Sequence, residues 1–299
     1  MAHWALGWVH RCRGEFEPAR THLEQVIDWY DPQRHHFLAF IYAQDPGVVC
    51  RSQLSVVLWM LGYPDQALKC SLEALDLAQE VSHPFSIAFA QLVCTSIYSF
   101  RLNAAMTRQM AENLIELSTE HGFSHWLALG TWFRGFALIQ QGQVDQGIPQ
   151  ALQGIADYQA TGATLDCSLY LAGLIEGYKK AERIKTALSA LAEDLAFIKK
   201  TGERYGEALL HGLKGELLQM QGVDEAEVEK CIWQGIEVAR QQHAKSLELR
   251  VTITLCRYWQ KLGKLKEARQ LLTGIYDWFT EGFDSGDLKQ ARALLEELL

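Results

Sequence analysis

Leu61-Gly62-Tyr63-Pro64-Asp65-Gln66-Ala67 separates two apolar runs of helical spacing. Upstream, Leu54, Val57, Leu58 and Leu61 recur at intervals of three and four. Downstream, Ala67, Leu68, Leu72, Leu75, Leu77 and Ala78 do the same. Two amphipathic helices joined by a tight turn follow from that pattern. Pro64 agrees with it, because in the first turn of a helix a missing N–H costs nothing.

The same punctuation returns along the chain, at Gly14, Gly62, Leu102, Gly142, Glu182, Gly222 and Gly263, with spacings of 48, 40, 40, 40, 40 and 41. Seven residues before these marks stand Gly7, Ser55, Thr95, Gly135, Ile175, Gly215 and Cys256, mostly small. Five after them stand Ala19, Ala67, Thr107, Gly147 and Ala187, then Val228 (with one inserted residue) and Ala268. Small residues at matched places let two helix backbones approach closely, and a fixed period of this length means stacked supersecondary units. No sustained period-two run competes, and the β-branched stretch Val251-Thr252-Ile253-Thr254 sits in a helical frame. The expected fold is all-α: a right-handed α-solenoid of about seven helical hairpins over residues 1–278, closed by a capping segment over 279–299.

Four details refine the expectation. Pro18, Pro64 and Pro149 fall in or just before the first turn of a second helix, and Pro32, Pro46 and Pro84 fall between units. The first interval carries eight extra residues, in Asp31–His36 and Gln44–Gly47 around the apolar Phe37–Tyr42, which predicts a longer connection and an extended first-unit helix. Near the end, Gly282 is expected to stop a helix in the left-handed conformation. Asp284 is expected to cap a last helix carrying Leu288, Ala291, Leu294, Leu295 and Leu298. The chain opens inside an apolar helix, with Trp4, Leu6 and Trp8 and no capping residue ahead. That opening predicts further protein before Met1, and self-association through the uncapped end.

Forty-residue hairpins with these small registers resemble tetratricopeptide repeats of the longer kind. Several stretches resemble more narrowly the C-terminal tetratricopeptide regions of bacterial signalling proteins that carry a P-loop ATPase and often a class III adenylate/guanylate cyclase upstream. These are Asp45-Pro46-Gly47-Val48, Leu61–Ala67, Ser82-His83-Pro84-Phe85-Ser86, Thr201-Gly202-Glu203-Arg204, Leu213–Leu218, Leu247-Glu248-Leu249-Arg250, Trp278–Phe283 and Asp287-Leu288-Lys289. The chain departs from the family where Ala208-Leu209-Leu210-His211-Gly212 replaces the usual Ala-Glu-Leu-His-Arg. The resemblance implies a regulatory, partner-sensing module attached to an ATPase.

Composition narrows the function further. With 299 residues and 48% hydrophobic, the chain can bury a continuous core, and a net charge of −8 argues against a nucleic-acid footprint. No apolar run approaches a membrane span, and the first residues lack the features of a secretory signal. Seven scattered cysteines, never arranged as CxxC, suit buried thiols in a reducing cytoplasm. There is no GxxxxGK[ST], GxGxxG or HExxH. His121 and His125 straddle Gly122, a helix end, so they make a poor metal pair. Cys12 with His10 or His22, and Cys231 with His243, amount to no more than sequence proximity. The reading is therefore non-catalytic, without cofactor or metal.

In a tetratricopeptide array the first helices line the concave side. The inward positions are Trp132, Phe136 and Ile139 in the fourth unit, and Ala172, Glu176 and Lys179 in the fifth. The sixth supplies Gly212, Glu216 and Gln219, and the seventh Ile253, Arg257 and Gln260. Such a groove runs from apolar to mixed charge and suits a protein or peptide partner with an apolar anchor and a polar tail. Trp132, Phe136, Ile139, Glu176, Lys179, Glu216 and Arg257 are the candidate contact residues. For the aromatic pair, packing between helices is the competing reading.

Overall fold

The computed structural model describes residues 2–299. Among these residues every regular element is a helix. In chain order they are α1 (Ala2–Cys12), α2 (Phe16–Trp29), α3 (Pro32–His35), α4 (Leu38–Tyr42), α5 (Pro46–Leu61) and α6 (Pro64–Val81). Then follow α7 (Pro84–Phe100), α8 (Ala104–His121), α9 (Ser124–Gln140), α10 (Val144–Ala160), α11 (Cys167–Lys180) and α12 (Ile184–Thr201). The last five are α13 (Glu207–Met220), α14 (Glu225–Gln241), α15 (Lys245–Lys261), α16 (Leu265–Tyr276) and α17 (Gly286–Glu297). Seven hairpins are formed by α1/α2, α5/α6, α7/α8, α9/α10, α11/α12, α13/α14 and α15/α16, with α17 packed on the last of them.

All seven turn marks adopt the left-handed conformation, including the two that are not glycine: Leu102 at φ 57° and Glu182 at φ 56°. A second left-handed series joins one unit to the next, at Ala43, Ser82, Gly122, Gly162, Gly202, His243 and Gly282. A left-handed residue thus turns the chain between the two helices of every hairpin and again between successive hairpins, directly after the helix in most units. Between the two helices the small registers meet. A Cβ added at Gly135 would lie 2.5 Å from the backbone nitrogen of Ala151 and 2.9 Å from the carbonyl oxygen of Gly147.

The first helices of successive units pack directly on one another and form the inner layer of the solenoid. The superhelix then closes on itself. Helix α5 touches α15, and every residue of α5 except Arg51 is buried. Around that contact, Arg101 joins the Pro64 carbonyl at 2.7 Å, Asp65 at 2.9 Å and Asp284. Glu281 accepts the backbone N–H groups of Asp65 and Gln66 at 2.9 and 3.0 Å. Asp65 in turn accepts the Gly282 N–H at 2.8 Å. Trp278 lies against Tyr63, ring to ring at 5.7 Å. Further round, the Arg204 N–H donates to the Cys12 carbonyl at 2.8 Å.

Three expectations need correction. The extra residues of the first interval do not lengthen α2, which stops at Trp29. They fold as the one-turn helices α3 and α4 because Asp31 caps a new start ahead of Pro32, and they leave Phe37, Phe40 and Ile41 exposed. Pro149 lies inside α10, not in its first turn. At the C-terminus α16 ends at Tyr276, before Gly282, and the residue ahead of α17 is Ser285. Asp284 is occupied by Arg101 and Gly282 by Pro64, because residues 277–285 turn back to meet the second unit.

Candidate functional site on the inner face

The inner face is a series of adjoining recesses, not an open trough. One, of about 150 Å³, is bordered by Glu176, Lys179, Glu216, Arg250, Arg257 and Asp287. A smaller one of about 40 Å³ adjoins it through Leu102, Glu176, Leu209 and Arg250, and reaches Trp132 and Phe136. Through Phe100 and Leu169 it meets a larger recess of about 300 Å³, walled by residues of α1, α5, α7, α9 and α11.

The structure separates the seven candidate contacts. Glu176, Lys179, Glu216 and Arg257 share the mixed-charge recess. Lys179 Nζ donates to Glu216 Oε2 at 2.7 Å. Burial alone would lower the Lys179 pKa, but the carboxylates of Glu216 and Glu176 outweigh it and hold it above the ordinary lysine value. Arg257 is exposed and donates only to the Gln290 side chain at 3.2 Å. Trp132 and Phe136 only edge the small recess. They stack at 5.1 Å and are roofed by Gly173 of α11, where a Cβ would lie 2.9–3.0 Å from both rings. Their bulk therefore serves the α9–α11 contact. Ile139 faces away from the groove and fills the space beside Gly147 and Gly177.

The large recess was not singled out in the sequence, although a signal was available. Trp132, Phe136 and Ile139 stand ten, six and three residues before their turn mark. The same offsets in the first three units give nine residues, of which Trp8, Arg11, Val56, Leu92 and Ser96 line this recess and Trp4, Ser52, Trp59 and Ser99 do not. Beside it lies a buried ionisable cluster. Arg11 Nη2 pairs with Asp166 at 2.9 Å, and the guanidinium stacks on Tyr205 at 4.9 Å. Glu203 accepts the Asp166 N–H at 3.3 Å. Burial, followed by the charge of Asp166, pushes the Glu203 carboxyl up to about 7. Burial pushes Asp194 up to about 7 as well, opposed by Ser168, whose hydroxyl lies near without a well-formed hydrogen bond to either oxygen.

The reactive side chains considered in the sequence are held apart or used for packing. Burial raises Cys12 to about 11 and Cys50, Cys70, Cys167 and Cys256 to about 12. The Cys12 sulfur faces Arg11, while His10 bonds Glu15. His121 stacks on Phe123 and His125 meets Trp126 edge to face, with left-handed Gly122 between the two histidines. No described helix is long and apolar enough to cross a membrane.

No curated protein matches the chain. A tetratricopeptide repeat profile matches residues 1–25. Among solved structures, the apo form of RapI is 12% identical with a TM-score of 0.59, over 99% of this chain and 98% of that one. A Rap protein complexed with competence and sporulation factor is 11% identical with a TM-score of 0.65, over 99% of this chain and 76% of that one. A signal transduction ATPase with numerous domains and a tetratricopeptide repeat sensor, PH0952 from Pyrococcus horikoshii, is 13% identical with a TM-score of 0.48. The match covers 99% of this chain and 42% of that one. At these identities the likeness is one of fold. The chain is an all-helical repeat protein, a solenoid of the tetratricopeptide type.

Proposed function

We propose that this solenoid is a non-catalytic, cytoplasmic sensor or scaffold that binds a peptide segment of a partner along its inner face. In the setting that the sequence resemblance implies, occupancy is passed to an attached P-loop ATPase or nucleotide cyclase. The observation that carries the reading is the mixed-charge recess, where Glu176, Lys179, Glu216 and Arg257 come together from three successive inner helices. Arg257, exposed and without a carboxylate partner among the described residues, is the anchor for an acidic side chain of the peptide. Lys179 and Glu216, already paired, set the position of the neighbouring peptide groups. A structure of similar fold holds a bound factor, which supports a ligand-binding role. Leu6 and Val9 of α1 stay exposed, which supports self-association at that end.

Selection of a phage-displayed peptide library on the full chain tests the reading. Enriched sequences should share an acidic position and bind Arg257→Glu at least tenfold more weakly than wild type. Absence of any enriched sequence, or equal binding to the variant, would refute it.

A further inference from the structure

The recess of about 300 Å³ near the N-terminal units differs in chemistry from the mixed-charge one. Its walls are mainly apolar and aromatic: Trp8, Val56, Phe89, Leu92, Leu129 and Tyr170. Three lining residues carry buried polar atoms with no partner among the described residues: Arg11 Nε, Gln53 Oε1 and Trp126 Nε1. Arg11, Gln53 and Trp126 are 2, 4 and 5% exposed. Buried polar groups are almost always paired, because one left unpaired has lost its water without gaining a partner. Three around one chamber therefore point to a ligand that pairs them.

The charge state of the chamber narrows the ligand. Arg11 Nη2 already bonds both Asp166 oxygens, at 2.9 and 3.2 Å, so the cation is paired with a carboxylate, while its fully buried Nε–H has no partner among the described residues. The Ser96 hydroxyl is occupied by the Leu92 carbonyl. The fully buried lining atoms left unpartnered are thus two N–H donors and one carbonyl acceptor, and the one charged pair of the wall, Arg11 with Asp166, is already made. An amide meets that pattern, its carbonyl taking Arg11 or Trp126 and its N–H donating to Gln53. The volume is about twice that of an apolar cavity of roughly 150 Å³, which takes benzene, so a bicyclic aromatic body fits. We propose that this chamber is a binding site for a small, uncharged aromatic amide. The site stands apart from the peptide-binding stretch and does not depend on it.

Calorimetric titration of the full chain with indole-3-acetamide, indole-3-acetate and 3-methylindole tests the inference. The amide should bind one per chain, at least tenfold tighter than either analogue. Gln53→Leu should erase about tenfold of its advantage over 3-methylindole. Ser96→Trp, which fills the chamber, should abolish binding of all three while circular dichroism still reports a folded helix array. If Ser96→Trp does not fold, Gln53→Leu decides alone. No binding of the amide, equal affinity for the three compounds, or an unchanged amide advantage in Gln53→Leu would each overturn the assignment.

Discussion

Arg250 donates to the carbonyl oxygen of Phe100 at 2.7 Å across a sequence separation of 150 residues. The same guanidinium holds Asp287 at 2.6 Å and lies 5.1 Å from the Trp59 ring centre. One side chain therefore ties the seventh hairpin to the second and third units and to the closing helix. The Phe100 carbonyl stands at the end of α7, where a helix leaves acceptors unsatisfied. A cation there meets both an orphan oxygen and the negative end of the helix.

Arg250→Leu removes this tie and leaves Asp287 without its partner. The loss of hydrogen bonds to a charged group predicts a destabilisation of about 2–3 kcal/mol. A denaturant melt of the variant beside wild type measures it. An unchanged midpoint and slope would mean that the two ends do not support each other.

Left-handed residues give a cleaner test of the turns. Glu182 is exposed at φ 56°, so Glu182→Gly removes a strained conformation with little lost contact and should stabilise by about 0.5–1 kcal/mol. Gly142 and Gly222 sit in the same turn position with open space where a Cβ would go. Gly142→Ala should therefore destabilise by about 1 kcal/mol through conformation alone. Thermal melts of the two variants should move in opposite directions.

Asp194 links the buried cluster to pH. Its folded pKa of about 7 lies above the ordinary carboxylate value. The folded chain therefore holds this proton more tightly than the unfolded one. Stability from this group is fully present below about pH 4, declines as pH rises towards 7, and stays low above that. Glu203 acts in the same direction. Asp194→Asn keeps the shape without the charge. It should gain on the order of 2 kcal/mol over wild type at pH 8 and little at pH 4. Equal gains at both pH values would assign the effect to packing instead.

Much of the fold was legible because a hairpin imposes local demands that sequence records directly. Each turn needs a left-handed residue and each helix pair a close approach, and both recur every forty positions. Leu102 and Glu182 remained recognisable only through the period, since neither side chain advertises that conformation. The closure was not legible. It depends on the rotation summed over seven units, which decides that Glu281 meets Gln66 and that Asp284 meets Arg101 instead of capping α17. The same summation decides the groove. Trp132 and Phe136 occupy inward positions, yet Gly173 of the next helix lies close enough to roof them. The charged positions Glu176, Lys179, Glu216 and Arg257 line one recess, because long polar side chains stay at the rim of such a contact.

The solenoid completes a turn whose ends touch, giving its inner face the form of linked recesses. Gln66 Nε2 donates to Glu281 Oε2 at 3.0 Å, although the two lie 215 positions apart. Cysteines placed at both positions in a Cys70→Ala background, since Cys70 stands one turn from position 66, and treated with dibromobimane, which fluoresces only after bridging two nearby thiols, test this directly. The closed turn predicts strong fluorescence from the double variant and none from either single variant. Two thiols that each react with maleimide yet never bridge would contradict it.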